Sequence, residues 1–325
     1  MKAKILVYAL PALILATIHL AEAQQPPGTP RIGFLVSSTT SNYVSRLETF
    51  RRAMRELGYV EGKNITIEYR FAEGNADRMR EIATGFVSMK VDLIVTAANA
   101  TAAKNATKTI PIVFAAIADP VATGIVNSLA KPGGNLTGLT VLAPELTGKR
   151  LELLKKAAPK VNRVVFLWNP SAPADLPLLK EAQAASGTLG LQIRSFEITN
   201  LDDFDNAFMT AIKEKANALT MTLNPFINTY RPRILDFVSK NRLPAIFGVP
   251  DIVEAGGLMS YGPDYGEHFR RLAIYVDKIL KGTKPGDLPV EQPTKFEFII
   301  NLKAAKQIGL TIPPNVLARA DKVIK

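Results

Sequence analysis

Short runs of hydroxyls and amides follow apolar, β-rich segments at intervals along this sequence. Such side chains, with the backbone N–H groups beside them, can donate and accept hydrogen bonds to a small polar ligand. Ser37-Ser38-Thr39-Thr40-Ser41-Asn42 follows the first apolar segment, Thr96-Ala97-Ala98-Asn99-Ala100-Thr101 the third, and Ala115-Ala116-Ile117-Ala118-Asp119-Pro120 the fourth. Further along, Asn169-Pro170-Ser171, Asn224-Pro225-Phe226 and Gly248-Val249-Pro250-Asp251 hold corresponding places. Ser38, Thr39, Asn42, Thr96, Asn99 and Thr101, with the small Ala116, are candidate ligand contacts on one side, where hydroxyls and amides can hold a carboxylate; Asn169, Asn224 and Gly248 are candidates on the opposite side. Asp119 is the carboxylate nearest these early loops and the candidate partner of a ligand ammonium, although Asp ahead of proline also reads as a turn residue. Tyr43, Trp168, Phe226 and Tyr261 lie near strand ends and are candidate walls of an apolar pocket; aromatic rings there also fill cores. Ser, Thr and Asn equally cap helices, but the run from Ser37 to Asn42 is longer than one cap needs.

The inventory leaves little for catalysis. Cysteine is absent, and of two histidines His19 lies in the leader and His268 in a helical stretch without an evident partner, so neither a catalytic triad nor a histidine metal site is expected. The first strand is followed by no G-x-G-x-x-G and no glycine-lysine phosphate loop, which excludes the usual dinucleotide and nucleoside triphosphate devices; no cofactor is expected.

The elements that must position these loops alternate in type. Arg31 to Val36 reads as a strand, and Val44, Leu47, Phe50, Met54 and Leu57 then recur at helical spacing until Gly58. Strands are expected at Ile65–Tyr69, Val91–Thr96 and Ile110–Ala115, with a helix over Ala76–Met89. After the turn at Lys131-Pro132-Gly133-Gly134-Asn135 a second series begins. Helices are expected near Leu146–Ala157, Leu176–Thr188, Leu201–Lys215 and Ile227–Asn241, and strands over Val164–Trp168, Leu191–Ile198, Ala218–Leu223 and Pro244–Gly248. The two series match in register, since 26 residues separate Ile32 from Gly58 and also Val164 from Gly190. A strand over Gly256–Gly262, a helix over Tyr265–Leu280 and a strand over Phe296–Ile300 close the chain. The pattern predicts an α/β protein of two Rossmann-like lobes with parallel sheets, joined by a three-strand hinge that lets them close as a clamshell. Residues 30–141 plus 260–283 are expected to form the N-terminal lobe, and 142–259 plus 284–325 the C-terminal lobe. Ligands then belong beyond the carboxyl ends of the strands, where the polar runs sit.

Lys2 and Lys4 precede an apolar run from Ile5 to Leu20, and Ala21-Glu22-Ala23 supplies a signal-peptidase site, so residues 1–23 read as a signal peptide cleaved after Ala23. With no cysteine to carry a lipid, the expected location is free in a bacterial periplasm, not as a lipoprotein. The formal charge of +11 comes from scattered pairs such as Arg51-Arg52, Lys155-Lys156 and Arg270-Arg271 on solvated helix faces, so no nucleic-acid partner is expected.

Longer strings are specific. Gly58-Tyr59-Val60-Glu61-Gly62-Lys63-Asn64-Ile65, Pro132-Gly133-Gly134-Asn135-Leu136-Thr137-Gly138, Lys149-Arg150-Leu151-Glu152-Leu153-Leu154 and Val253-Glu254-Ala255-Gly256-Gly257-Leu258-Met259-Ser260-Tyr261-Gly262 closely resemble the ABC transporter substrate-binding proteins labelled tryptophan/tyrosine transport. The resemblance covers essentially the whole chain after the leader. It implies a type I periplasmic binding fold, a small-molecule ligand, and a permease with its ATPase as partners. A monomer that binds and releases its ligand unchanged is expected; a ligand sensor for a membrane receptor is the alternative, ahead of an exported enzyme.

Overall fold

The computed structural model describes residues 28–40, 43–98, 100–116, 119–121, 123–141 and 143–325. The leader, Asn42 and Asn99 lie outside the described residues. Five parallel strands, β1 (Arg31–Val36), β2 (Thr66–Phe71), β3 (Leu93–Ala98), β4 (Ile112–Ala116) and β5 (Leu136–Leu139), make a first sheet in the order β2-β1-β3-β4-β5. Its strands alternate residues between two apolar layers, as pleating requires. Ile32, Phe34 and Val36 pack with α1 (Val44–Glu56), while Leu35, Ile94 and Phe114 pack with α2 (Ala76–Ser88) and α3 (Thr101–Ala106). At Gly33 a Cβ would lie 2.5 Å from the Phe86 ring, so only glycine lets α2 sit this close to the sheet.

After α4 (Ala143–Ala157) the second sheet is built from β6 (Arg163–Trp168), β7 (Gln192–Glu197), β8 (Ala218–Met221), β9 (Ala245–Phe247), β10 (Met259–Pro263), β11 (Phe296–Asn301) and β12 (Lys322–Ile324). Its order is β12-β11-β10-β9-β8-β6-β7, parallel except where β10 meets β11. Helices α4 and α5 (Asp175–Leu189) cover the face carrying Val164, Phe166 and Trp168. Helices α6 (Leu201–Lys213), α7 (Pro225–Thr229), α8 (Arg231–Lys240) and α9 (Pro250–Glu254) cover the face carrying Val165, Leu167 and Phe247. The helix expected over Ile227–Asn241 is broken at Tyr230, because Pro232 denies the amide that would carry the ladder through.

Helix α10 (Tyr265–Leu280) leaves the second sheet and packs along α1, with the Tyr43 and Phe269 rings 6.1 Å apart. The chain returns through a 3-10 turn at Pro285–Asp287 to β11, and α11 (Leu302–Gln307) and α12 (Pro314–Leu317) precede β12. The segment expected with the first lobe, 260–283, is therefore divided: β10 pairs within the second sheet and α10 lies on the first. Residues 288–290 also belong with the first sheet, since Thr137 Oγ1 donates to the Leu288 carbonyl and the Val290 amide to that of Leu129.

The chain crosses between sheets three times, and the crossings bond to one another. The Thr140 amide donates to the Glu291 carbonyl at 2.8 Å, the Glu291 amide to Gly138 at 3.0 Å, and the Asp264 amide to Lys295 at 3.1 Å. Lys295 Nζ also reaches Asp264 Oδ2 at 2.8 Å.

Candidate functional site

The carboxyl ends of both sheets face the junction between lobes. At the end of β1, Ser37 and Ser38 are buried, and Ser37 Oγ has no hydrogen-bond partner among the described residues. Thr96 is fully buried within β3, Thr101 is exposed at the start of α3, and Ala116 ends β4. Asp119 is exposed and its Oδ1 accepts the Val121 amide at 2.9 Å, closing the turn that an Asp-Pro pair favours.

On the second sheet the amides noted in the sequence hold their own loops. Asn169 Oδ1 accepts the Ser171 amide at 2.8 Å, and Asn224 Oδ1 caps α7 by accepting from Phe226 at 2.9 Å. Both loops converge on Asp175, which sequence reasoning missed. Its Oδ2 accepts from the Asn169 amide at 2.9 Å and from Thr222 Oγ1 at 2.6 Å. Burial without a cation holds this carboxyl above its ordinary pKa, against the lowering effect of its hydrogen bonds. Phe226 packs on Tyr230 and Phe204, and Tyr261 stacks on Phe296, so both rings lean on their own lobe. Trp168, at the end of β6, is buried with its Nε1 unpartnered among the described residues.

Two arginines complete the junction. Arg46 of α1 reaches across to Asp251 of α9 at 2.7 Å, and its guanidinium lies over the rings of Tyr43 and Tyr265, 4.9 and 4.2 Å from their centroids. Arg150 of α4 is 5% exposed and donates from Nε to the Tyr261 carbonyl at 2.8 Å. Its guanidinium lies over Gly248, where a Cβ would stand 2.9 Å from a terminal nitrogen; the glycine read as a site residue is what admits the arginine. Burial drags the Arg150 pKa down to about 10. Both arginines sit on apolar stripes: Arg150 is four residues from Leu146 and from Leu154, and Arg46 adjoins Leu47 and precedes Phe50 by four. A charge on the buried stripe was the available signal.

A cavity of about 410 Å³ lies at the crossings, lined by Asp264, Glu267, His268, Arg271, Glu291 and Lys295. Its charges are paired internally, Arg271 with Glu291, Lys295 with Asp264 and Glu267 with Arg270, so it is hinge structure. No group of three His, Asp or Glu side chains suited to a metal ion occurs among the described residues.

The sequence matches the ABC transporter substrate binding protein family over residues 32–324. The chain belongs to that family. The chain is also similar to characterised and solved proteins over most of its length. The chain is 29% identical over 263 residues to a tyrosine-binding protein of Clostridioides difficile, covering 80% of this chain and 75% of that one. A conserved domain protein of Vibrio cholerae superposes with a TM-score of 0.82 at 31% identity, covering 91% of this chain and 99% of its own. An ABC domain of Streptococcus pneumoniae solved in complex with L-Trp gives a TM-score of 0.84 at 27% identity, with coverage of 91% and 100%. This substrate-binding protein has two parallel-sheet lobes, and its solved neighbours share the fold; the lobes touch where Arg46 meets Asp251.

Proposed function

We propose that this protein is the exported receptor of an ABC uptake system, which closes its lobes on an amino acid or related small carboxylate and hands it unchanged to a permease driven by an ATPase. Two polar strand ends face each other across three mutually bonded crossings, and that arrangement carries the proposal. Family membership supports it, as do a tyrosine-binding relative and a neighbour bound to L-Trp. Under this proposal residues 1–23 direct export to the periplasm, the mature chain works as a monomer, and no chemical step is made on the ligand.

On this reading Ser38, Thr39, Thr96, Thr101 and Asp119 are the first lobe's ligand contacts. Tyr43 and Tyr261 flank the cleft, and the loops shaped by Asn169 and Asn224 and opened by Gly248 approach from the second lobe. A ligand that binds the native state alone raises its stability by about 2.7 kcal/mol at a hundred times Kd. A thermal-shift panel of amino acids, small carboxylates, purines and sugars therefore tests the proposal. The melting temperature is expected to rise with an amino acid; silence across all amino acids, with a response to a sugar or purine, discards the amino acid as substrate.

A further inference from the structure

Arg150 is a charge buried without a counter-charge. Among the described residues its guanidinium makes a single hydrogen bond, from Nε to the Tyr261 carbonyl, and no carboxylate lies within ion-pair reach. A guanidinium carries five N–H donors in a fixed fork, so its terminal nitrogens hold most of its donor capacity in reserve. Its exposure is 5%, too little for water to compensate the charge fully. The fold does specific work to keep it there: Gly248 has no side chain where the guanidinium lies, and Leu223, following β8, closes over the same glycine.

The place is the carboxyl edge of the second sheet, between the ends of β8 and β9 and the strand β10. Tyr265, just past β10, lies within electrostatic reach of both Arg150 and Arg46, and its buried hydroxyl has no partner among the described residues. Arg46 is neutralised by Asp251, whereas Arg150 is not neutralised by anything described. Asp175, the other buried charge on this sheet, spends its Oδ2 on the loops of Asn169 and Thr222. The second lobe thus holds one uncompensated cation with unused planar donors, the complement of a carboxylate, and an unused hydroxyl within its electrostatic reach.

We infer that Arg150 is the anion receptor of the cleft and determines specificity by taking the carboxylate of the substrate on its terminal nitrogens, with the Tyr265 hydroxyl beside it. The inference rests on the cleft being the ligand site. It moves the carboxylate from the first-lobe loops to the second lobe and defines the substrate class as monoanionic at one end.

Titration calorimetry of the purified protein with L-tyrosine, L-tryptophan and L-leucine, each beside its carboxamide, and with neutral sugars and nucleosides as controls, tests it. At least one free acid is expected to bind, and its amide roughly 10- to 100-fold more weakly, the span expected for a hydrogen bond to a charged group. Arg150→Gln should lower the acid's affinity by a similar factor while leaving the amide nearly unaffected, so that the acid-to-amide ratio collapses; Arg150→Lys should restore part of it. A purely structural arginine would weaken acid and amide equally. An unchanged ratio in Arg150→Gln, equal binding of acid and amide by the native protein, or binding of neutral controls only, each overturns the inference while leaving the cleft intact. No response to any compound overturns the ligand cleft itself and the inference with it. The acid-amide comparison on the native protein decides the matter should the variants fail to fold.

Discussion

His268 shows how a residue that suggests chemistry can be a structural element with a pH signature. It is 6% exposed on α10, and burial, reinforced by the charge of Arg46 and opposed by Glu291, pulls its pKa down to about 4. The folded protein therefore keeps the imidazole neutral where the unfolded chain would protonate it. Its contribution is complete above the unfolded pKa near 6.5 and is lost as pH falls from there towards 4, an effect of up to about 3 kcal/mol. Unfolding free energy measured between pH 7 and pH 4 should fall along that course in the native protein, and His268→Gln should flatten the part of the slope owed to this residue. The strand-end positions of Ser37, Ser38 and Gly248 are legible in the sequence, because a polar or small run directly after an apolar strand marks that strand's carboxyl end. Arg46, Arg150 and Asp175 were not singled out, because a charged residue in a helix reads first as solvated, and only its place on the apolar stripe betrays burial.

At the scale of elements, periodicity located most helices and the buried strands, because alternation and 3.6-residue spacing follow directly from which face is covered. It did not yield β5, whose Leu136–Leu139 is too short to alternate and follows a run of glycines, nor β12, three residues long. It also did not reveal which sheet β10 joins. Partners are set by long-range backbone approach, and here glycines decide: a Cβ on Gly262 would stand 2.1 Å from the Gly248 carbonyl oxygen. Neither backbone can retreat without breaking the pairing of β10 with β9 that holds the second crossing in place. Gly262→Ala should therefore cost about 3 kcal/mol and lower the melting temperature by several degrees, read by calorimetry or circular dichroism. A variant as stable as the native protein would show that the strands are free to separate there.

At the scale of the molecule, the lobes are tied at their edges by Arg46 and Asp251, and this pair bears on closure. The Arg46 side chain is 9% exposed and that of Asp251 24%, and they come from α1 of the first lobe and α9 of the second, so opening the cleft must part them. In Asp251→Ala the closed form would bury a guanidinium with no counter-charge, while the open form would return it to water; the change falls on one state only. Because Asp251 is partly exposed, the shift toward the open form is about 1–2 kcal/mol, or roughly tenfold in the closing equilibrium. Under the proposed closing mechanism the competent state is the closed one, so apparent affinity for the ligand should fall by the same factor, with every proposed lining residue untouched. Small-angle scattering should give a larger radius of gyration for unliganded Asp251→Ala than for the native protein, and saturating ligand should bring the two together. Loss of affinity without a change in radius would mean that Asp251 acts on the ligand directly and not on closure.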